Sequence, residues 1–544
     1  MEINSKLKQE VSNDLTHIEE FRNYYTQRYA HIPLEECSQE IKQLVESIAL
    51  LMARNRIAGE QTINSLYQRL FNQIYPYLAS PLPALGLIKL SGYQAYEPTH
   101  INAGTTFIVS DNENNYALFR TQIDHVVHPV EIDNVTVKSE GLLRSRLEID
   151  IKNMASVPLA LEKLKIFINT GNEWSKNLKL QQVLAESQRD IYLELSNGKK
   201  YRCKMTLGRD DRPNINTIYE VRQYFQMPQQ HSFMMLEFLQ TPEEWTDGKL
   251  VILLETTWPN DVYLNSNLFQ LNVVPIENIQ YEDSETILMD GTKSQHRILP
   301  PNASEELELC HIEGVFKQNG SERIAIHPEF ISEDSETYDL IINTKSNLHE
   351  IILRMPNAFD DPVQVVIEAK WHSPVFSRYL WKPLAVRFHD REVSGIKASL
   401  LSNIGRPVEP YQPGMYLSSE QNIAISALKN KAFLELKDLL LILDSIGSIW
   451  KGEYKQLRIL LNSLQVYDQN SSDINGRVNQ VIHYVLGFKA IEEELEPLIK
   501  DFLKHIELIL HTWVISRPVI VSGDYHILGR HDLDRSKINI TKTW

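Results

Sequence analysis

Cysteine is scarce in this chain: Cys37, Cys203 and Cys310 are the three among 544 residues. An odd, widely separated set offers neither a disulfide framework nor metal-ligand spacing, and it points to a reducing compartment. Positive charge is short as well. Lys and Arg total 55 against 71 Asp and Glu, a formal net charge of −16. That balance repels phosphate backbones, so nucleic acid is excluded as the main partner. No apolar run approaches the roughly 18 residues that a membrane span needs. The densest, Leu439-Leu440-Leu441-Ile442-Leu443, stops at Asp444. The opening residues, MEINSKLKQEV, hold no apolar segment of the signal-peptide kind. These absences predict a cytoplasmic protein without membrane insertion.

Catalytic motifs are missing too. There is no glycine-rich loop ending in Gly-Lys-Ser/Thr and no three-glycine dinucleotide turn. Asp290-Gly291-Thr292-Lys293 lacks the upstream glycines of a phosphate loop and reads as a hairpin turn. The Gly-x-Ser-x-Gly elbow of serine hydrolases is absent. Cys203 sits inside an alternating strand pattern. Cys310 and His311 are adjacent, so on a strand they point to opposite faces. His125 and His128 lie three apart in a valine-rich strand segment and also diverge. His526, His531, Asp532 and Asp534 read as a solvated tail. No catalytic residue, metal ligand or cofactor is expected, and the chain is read as non-enzymatic.

What is present is apolar patterning on a large scale. Apolar residues make up 42% and charged residues 23%, enough for cores and too many residues for one of them. Leu7, Val11, Leu15, Ile18, Phe21 and Tyr25 recur every three or four positions, one face of a long helix. Ile41, Leu44, Val45, Ile48 and Leu51 predict a second helix. Ile63, Leu66, Tyr67, Leu70, Phe71 and Ile74 predict a third, ended by Pro76, Pro81 and Pro83. From about residue 85 the period becomes two. Leu147, Ile149 and Ile151 alternate with charged residues, as do Leu164, Ile166 and Ile168. Ile191, Leu193 and Leu195 lead into Asn197-Gly198, whose two positions suit a tight hairpin with positive φ at both. Short helices interrupt near Leu178–Leu184 and Ile218–Phe225. The helical period returns over Ile423–Ile446, at Leu457, Leu460 and Leu461, and from Leu495 to Trp513; Asn475-Gly476 reads as a turn, and the apolar stretch through Val481, Ile482 and Val485 has no assignable period. The expected class is α+β and multidomain. It comprises an N-terminal helical region (1–80), two β-sandwich-like domains (81–300 and 301–404) and a C-terminal mixed α+β domain (405–544).

Several short segments then resemble one family in order. They are Leu44-Val45-Glu46-Ser47-Ile48-Ala49-Leu50-Leu51-Met52-Ala53-Arg54, Ile74-Tyr75-Pro76-Tyr77-Leu78 through Pro81-Leu82-Pro83, and Ala103-Gly104-Thr105. Phe119-Arg120-Thr121, Val127-His128-Pro129-Val130, Tyr224-Phe225-Gln226-Met227-Pro228 followed by Phe233, and Phe269-Gln270-Leu271-Asn272-Val273-Val274-Pro275-Ile276-Glu277-Asn278 continue the series. Together they resemble TssF, also called ImpG or VasA, a baseplate subunit of type VI secretion systems. The resemblance implies a structural wedge protein that pairs with a second copy of itself and clasps a TssG-like subunit through a helical bundle. It further implies contacts with TssE-like and TssK-like subunits, the spike hub and the sheath, and docking at the inner membrane through the secretion complex. The alternative of this kind is a wedge protein of a phage tail or another contractile injector. The interface residues expected on the first helix are Leu7, Val11, Leu15, Ile18, Phe21 and Tyr25.

Overall fold

The computed structural model describes residues 2–28; 39–409 apart from 93–96, 112–114, 142, 156–158, 172, 210–216, 303–306, 321, 330, 333, 344–347, 375–384, 390–392 and 394; 425; 427–528 apart from 473–477; and 538–539. The chain divides into two compact units. One comprises residues 1–76 with 412–426, the other 77–411 with 427–544.

The first unit is built on two long helices, α1 (Glu2–Arg28) and α2 (Gln39–Ile74). The second and third helices expected from periodicity are a single helix. The segment between them contains no proline, and Gly59 alone costs roughly 1 kcal/mol relative to alanine, too little to break a helix of 36 residues. At its end Phe71 and Tyr75 are buried with their rings 5.3 Å apart, and the Tyr75 hydroxyl donates to the Ile425 carbonyl at 3.3 Å.

The second unit is mostly sheet. The alternation read in the sequence is seen directly: Leu147, Ile149, Ile151, Leu164, Ile166, Ile168, Leu193 and Leu195 are all buried. They belong to an eight-stranded sheet running, in spatial order, 269–271, 163–168, 233–238, 200–207, 188–195, 247–254, 145–153 and 130–139. Its strands wrap one apolar core that takes Val130 and Phe269 from the two ends of that order. At the 197–198 turn Gly198 has φ 80°, whereas Asn197 stays outside the positive region. The hairpin therefore closes through a glycine at one left-handed position, with the Asn197 Oδ1 accepting from the Lys199 N–H at 3.0 Å.

A six-stranded sheet draws on distant segments: 385–388, 106–110, 116–121, 273–277, 85–92 and 396–400. A third sheet begins at Gln280, ahead of residue 301, and runs to His372. The chain then returns to the six-stranded sheet, so sheet membership interleaves along the sequence. The Asp290-Gly291 segment is a turn, with Gly291 at φ 77° and Asp290 Oδ1 accepting from the Thr292 N–H at 3.0 Å.

At the C-terminal end a strand (Val478–Phe488), a helix and a second strand (Val519–Asp524) form a parallel crossover. Parallel pairing requires such a bridge, which assigns the apolar stretch at Val481, Ile482 and Val485 to a strand. Leu461, grouped with a helical stripe in the sequence, opens the strand Leu461–Ser472 instead; the helix stops at Leu460. Asn475-Gly476 lies outside the described residues, as does most of 411–426.

One residue controls how the sheets are joined. Asn272 stands between strand 269–271 of the eight-stranded sheet and strand 273–277 of the six-stranded one, at φ 56°. Asparagine tolerates this left-handed conformation better than most residues. Its side chain accepts from the His128 N–H at 3.2 Å and donates to the His128 carbonyl at 3.0 Å, substituting for a rung of sheet. Asn272→Gly would relieve the backbone and lose both bonds. Asn272→Ala would lose both and add strain. The expected order of stability in urea unfolding is wild type, then Gly, then Ala, with Ala lower by about 2–3 kcal/mol.

Candidate partner surfaces and the seam beside them

On α1, Leu7, Val11, Leu15, Ile18 and Tyr25 are half-buried, whereas Phe21 is 67% exposed. The buried Asp14 lies amid this stripe. It accepts from Arg56 Nη2 of α2 at 2.7 Å, while Arg56 Nη1 donates to Glu10 at 2.8 Å. Ala49 and Ala53, one turn apart on α2, are fully buried; their small side chains let the two backbones approach. Most of the α1 stripe is thus partly covered within the hairpin, and Phe21 is left outside.

The wider apolar surface is on α2. Leu44 and Leu51 are each 60% exposed, and Ile48, Met52, Ile63 and Leu66 are about half exposed. Positions 44, 48, 51 and 52 fall within two turns, so they share a face. The sequence pattern places Leu44, Ile48 and Leu51 on one helical stripe and Ile63 and Leu66 on another. It does not separate the face closed by α1 from the face left open, although Ala49 and Ala53 carry that signal.

In the second unit the central element is α4 (Thr217–Gln226), continued by a short 3₁₀ turn at Pro228–His231. Three residues spaced by four, Arg222, Gln226 and Gln230, bond backbone carbonyls of distant segments. Arg222 is fully buried without a carboxylate partner among the described contacts. It donates to the carbonyls of Tyr77, of Ser80 at 2.8 Å and of Ile446 at 3.2 Å. Ile446 ends α5 (Leu436–Ile446), where the helix dipole favours a cation. Burial pulls the Arg222 guanidinium down to about 10, which still leaves it charged at neutral pH. Gln226 Nε2 donates to Pro83 and Arg406 carbonyls at 2.6 and 2.8 Å. Gln230 Nε2 reaches Gly86 and Ile276 at 2.9 and 3.2 Å.

The opposite flank of α4 meets α6 (Glu496–Trp513). The Tyr224 and Tyr454 hydroxyls both donate to Asp501 Oδ2, at 2.7 and 2.5 Å. His505 stacks on Tyr224 with centroids 3.8 Å apart. Trp174 Nε1 donates to the Tyr454 hydroxyl at 2.9 Å. Trp174 opens α3 (Trp174–Ser187), whose first N–H groups need acceptors. Glu453 supplies them from far along the chain, accepting from the Trp174 and Ser175 N–H groups at 2.5 and 2.9 Å. The arrangement is a polar seam.

The histidines and cysteines weighed in the sequence are scattered. His125 is buried on the strand His125–Val127, and His128 follows that strand. Burial, then His100, lowers His128 to about 4, so it is neutral at pH 7. Burial raises the Cys203 thiol to about 12 and that of Cys310 further, which removes nucleophilic thiolate. His311 contacts Ser80 Oγ at 3.3 Å. Cys37, His531, Asp532 and Asp534 lie outside the described residues. Among the described residues no group of three His, Cys, Asp or Glu side chains could hold a metal.

Comparison with known proteins adds family information. The family model described as "Type VI secretion system, TssF" matches residues 39–339, more than half of the chain. No curated protein matches it in sequence. Solved structures share its fold, two of them as follows. A chain of the cryo-electron microscopy structure of a type VI secretion system TssK-TssF-TssG baseplate subcomplex superposes with a TM-score of 0.72 at 14% identity, covering 92% of this chain and 98% of that one. A chain of "the baseplate complex from the type VI secretion system" gives a TM-score of 0.58 at 13% identity, covering 95% and 96%.

The seam carries a pH dependence. Burial would raise Asp501, but its contact with His505 and the two tyrosine hydroxyls outweigh it and hold the carboxyl below its ordinary 3.8. A depressed carboxyl contributes stability above its unfolded value, and that contribution is lost as pH falls through the folded value. Wild type should therefore lose stability more steeply below about pH 4 than Asp501→Asn, measured by chemical unfolding across pH 3–7. Equal slopes would remove the role given to Asp501.

Proposed function

Because the chain belongs to the TssF family of type VI secretion systems, we propose that it is a structural wedge subunit of a type VI baseplate. It pairs with a second copy and with a TssG-like subunit, and TssK-like and TssE-like subunits, the spike hub and the sheath are its further neighbours. Its role is to position partners, and it catalyses no reaction. It works in the cytoplasm, held at the inner membrane through the rest of the machine. The described helices fit that placement, since none is long and apolar enough to cross a membrane.

The observation that carries this reading is the open apolar face of α2, with Leu44, Ile48, Leu51 and Met52 in water. Contiguous exposed patches of this kind mark interaction sites. Burying each such side chain contributes about 1.5–3 kcal/mol, so a partner helix laid along this face has a strong driving force. Phe21 and Tyr24, both exposed on α1, offer further apolar surface to a bundle; of the interface expected on α1, Phe21 is open while Leu7, Val11, Leu15, Ile18 and Tyr25 are half-buried.

Co-expression with a TssG-like protein from the same secretion system should give a complex containing two copies of this chain. Leu44→Asp with Leu51→Asp should abolish that complex while leaving thermal unfolding of the free chain within a few degrees of wild type, because both positions are solvated in the monomer. A complex that survives the double substitution would overturn the assignment of this face.

A further inference from the structure

A trough of about 780 Å³ opens beside the seam, walled by α3, α4 and α6. Its shape follows from which residues line it. On α3 they recur at Leu178, Gln182 and Ala185; on α6 at Lys500, Lys504 and Leu508. Lining residues spaced by whole turns along two helices define an elongated groove. From Pro497 to Leu508 it runs about 16 Å along the α6 axis at about 1.5 Å per residue. The floor contains Val221 and Tyr224, both buried. Tyr224 is fixed, since its hydroxyl is committed to Asp501 at 2.7 Å and its ring is stacked on His505.

Two lysines edge the trough on α6. Lys500 and Lys504 stand one turn apart on α6, with Lys504 exposed and Lys500 bonded within its own helix to Glu496 at 3.3 Å. Glu186 on α3, Glu220 on α4 and Arg209, which follows the strand 200–207, line the rest, so opposite charges partly offset there. An apolar floor edged by two lysines on α6 suits an amphipathic helix laid lengthwise. The pitch of Lys500 and Lys504 fits acidic residues at i and i+4 on one flank of that helix.

Resting on the baseplate reading above, we propose that this trough receives an amphipathic helix from a different subunit, its acidic flank turned to Lys500 and Lys504. The occupant is an independent contact, separate from the bundle on α2. The groove is helix-walled, preformed and anchored by the seam, so docking requires little rearrangement.

The test uses the full chain in the reconstituted complex with its TssG-like and TssK-like partners. Complex formation on a sizing column reports on the baseplate reading by itself. p-Benzoylphenylalanine at Gln182 then reports on the trough. Irradiation should cross-link a different subunit, and mass spectrometry should place the cross-link in a helix with acidic residues one turn apart. Lys500→Glu with Lys504→Glu should lower the yield about tenfold by setting like charges together, and charge reversal of the partner helix should restore it. Ala185→Trp, which fills the groove from an exposed position, should abolish the cross-link without changing thermal unfolding. A complex that forms without cross-linking at Gln182 overturns the proposal, as does a cross-link to a second copy of this chain or a yield indifferent to both lysines. Failure of the complex to form would remove the occupant together with the baseplate reading.

Discussion

A guanidinium sealed among backbone carbonyls is the constraint around which the second unit is arranged. Arg222 is fully buried, and an unsatisfied cation in such a place would cost several kcal/mol. The carbonyls of Tyr77, Ser80 and Ile446 satisfy it, and they come from two stretches of chain far from α4 and from each other. None of these can move without stranding charge, so the entry segment at 77–80, helix α4 and the end of α5 are fixed together. Ser448 adds a bond back to the Arg222 carbonyl at 2.7 Å. Gln226 and Gln230 repeat the device with neutral amides one and two turns further along.

The same helix faces two ways. Its Arg222-Gln226-Gln230 stripe reads backbone, while Tyr224 and Phe225 meet side chains of the C-terminal region. Phe225 lies edge-on to Tyr454 at 4.8 Å, and Tyr224 reaches Asp501. Hydrogen bonds of this kind give modest net energy and strong geometric selection. Bulk stability comes from the apolar cores of the sheets; α4 and its bonds decide how segments from distant parts of the chain are set against each other. Under the baseplate role proposed above, the second unit would hold its segments fixed and the exposed face of α2 would make contact.

Much of this was legible in the sequence where physics is local. Period-two alternation at Leu147, Ile149 and Ile151 identified strands, because burial on one face of a sheet imposes it. The 3.6 period found α1 and α6 for the same reason. The continuity of α2 was missed because two good stripes were separated by a segment with weak periodicity around Gly59, and no breaker was needed to explain the gap. Leu461 was misassigned because leucines at short spacing fit a helix end and a strand start alike. Arg222 gave no signal: its partners are main-chain carbonyls, which carry no side-chain identity. The family-like Tyr224-Phe225-Gln226-Met227-Pro228 segment drew attention to the right helix, and its chemistry emerged from the fold. The apolar stripe on α1 was readable, but its share of burial depends on Ala49 and Ala53 across the hairpin, a pairing that periodicity within one helix cannot reveal.

Amide hydrogen exchange of the chain, alone and bound to its TssG-like partner, tests the central claim most directly. The account predicts strong new protection across 39–74 on binding, with 217–231 already protected in the free chain and unchanged in the complex. Protection that appears elsewhere while α2 exchanges as before would contradict it.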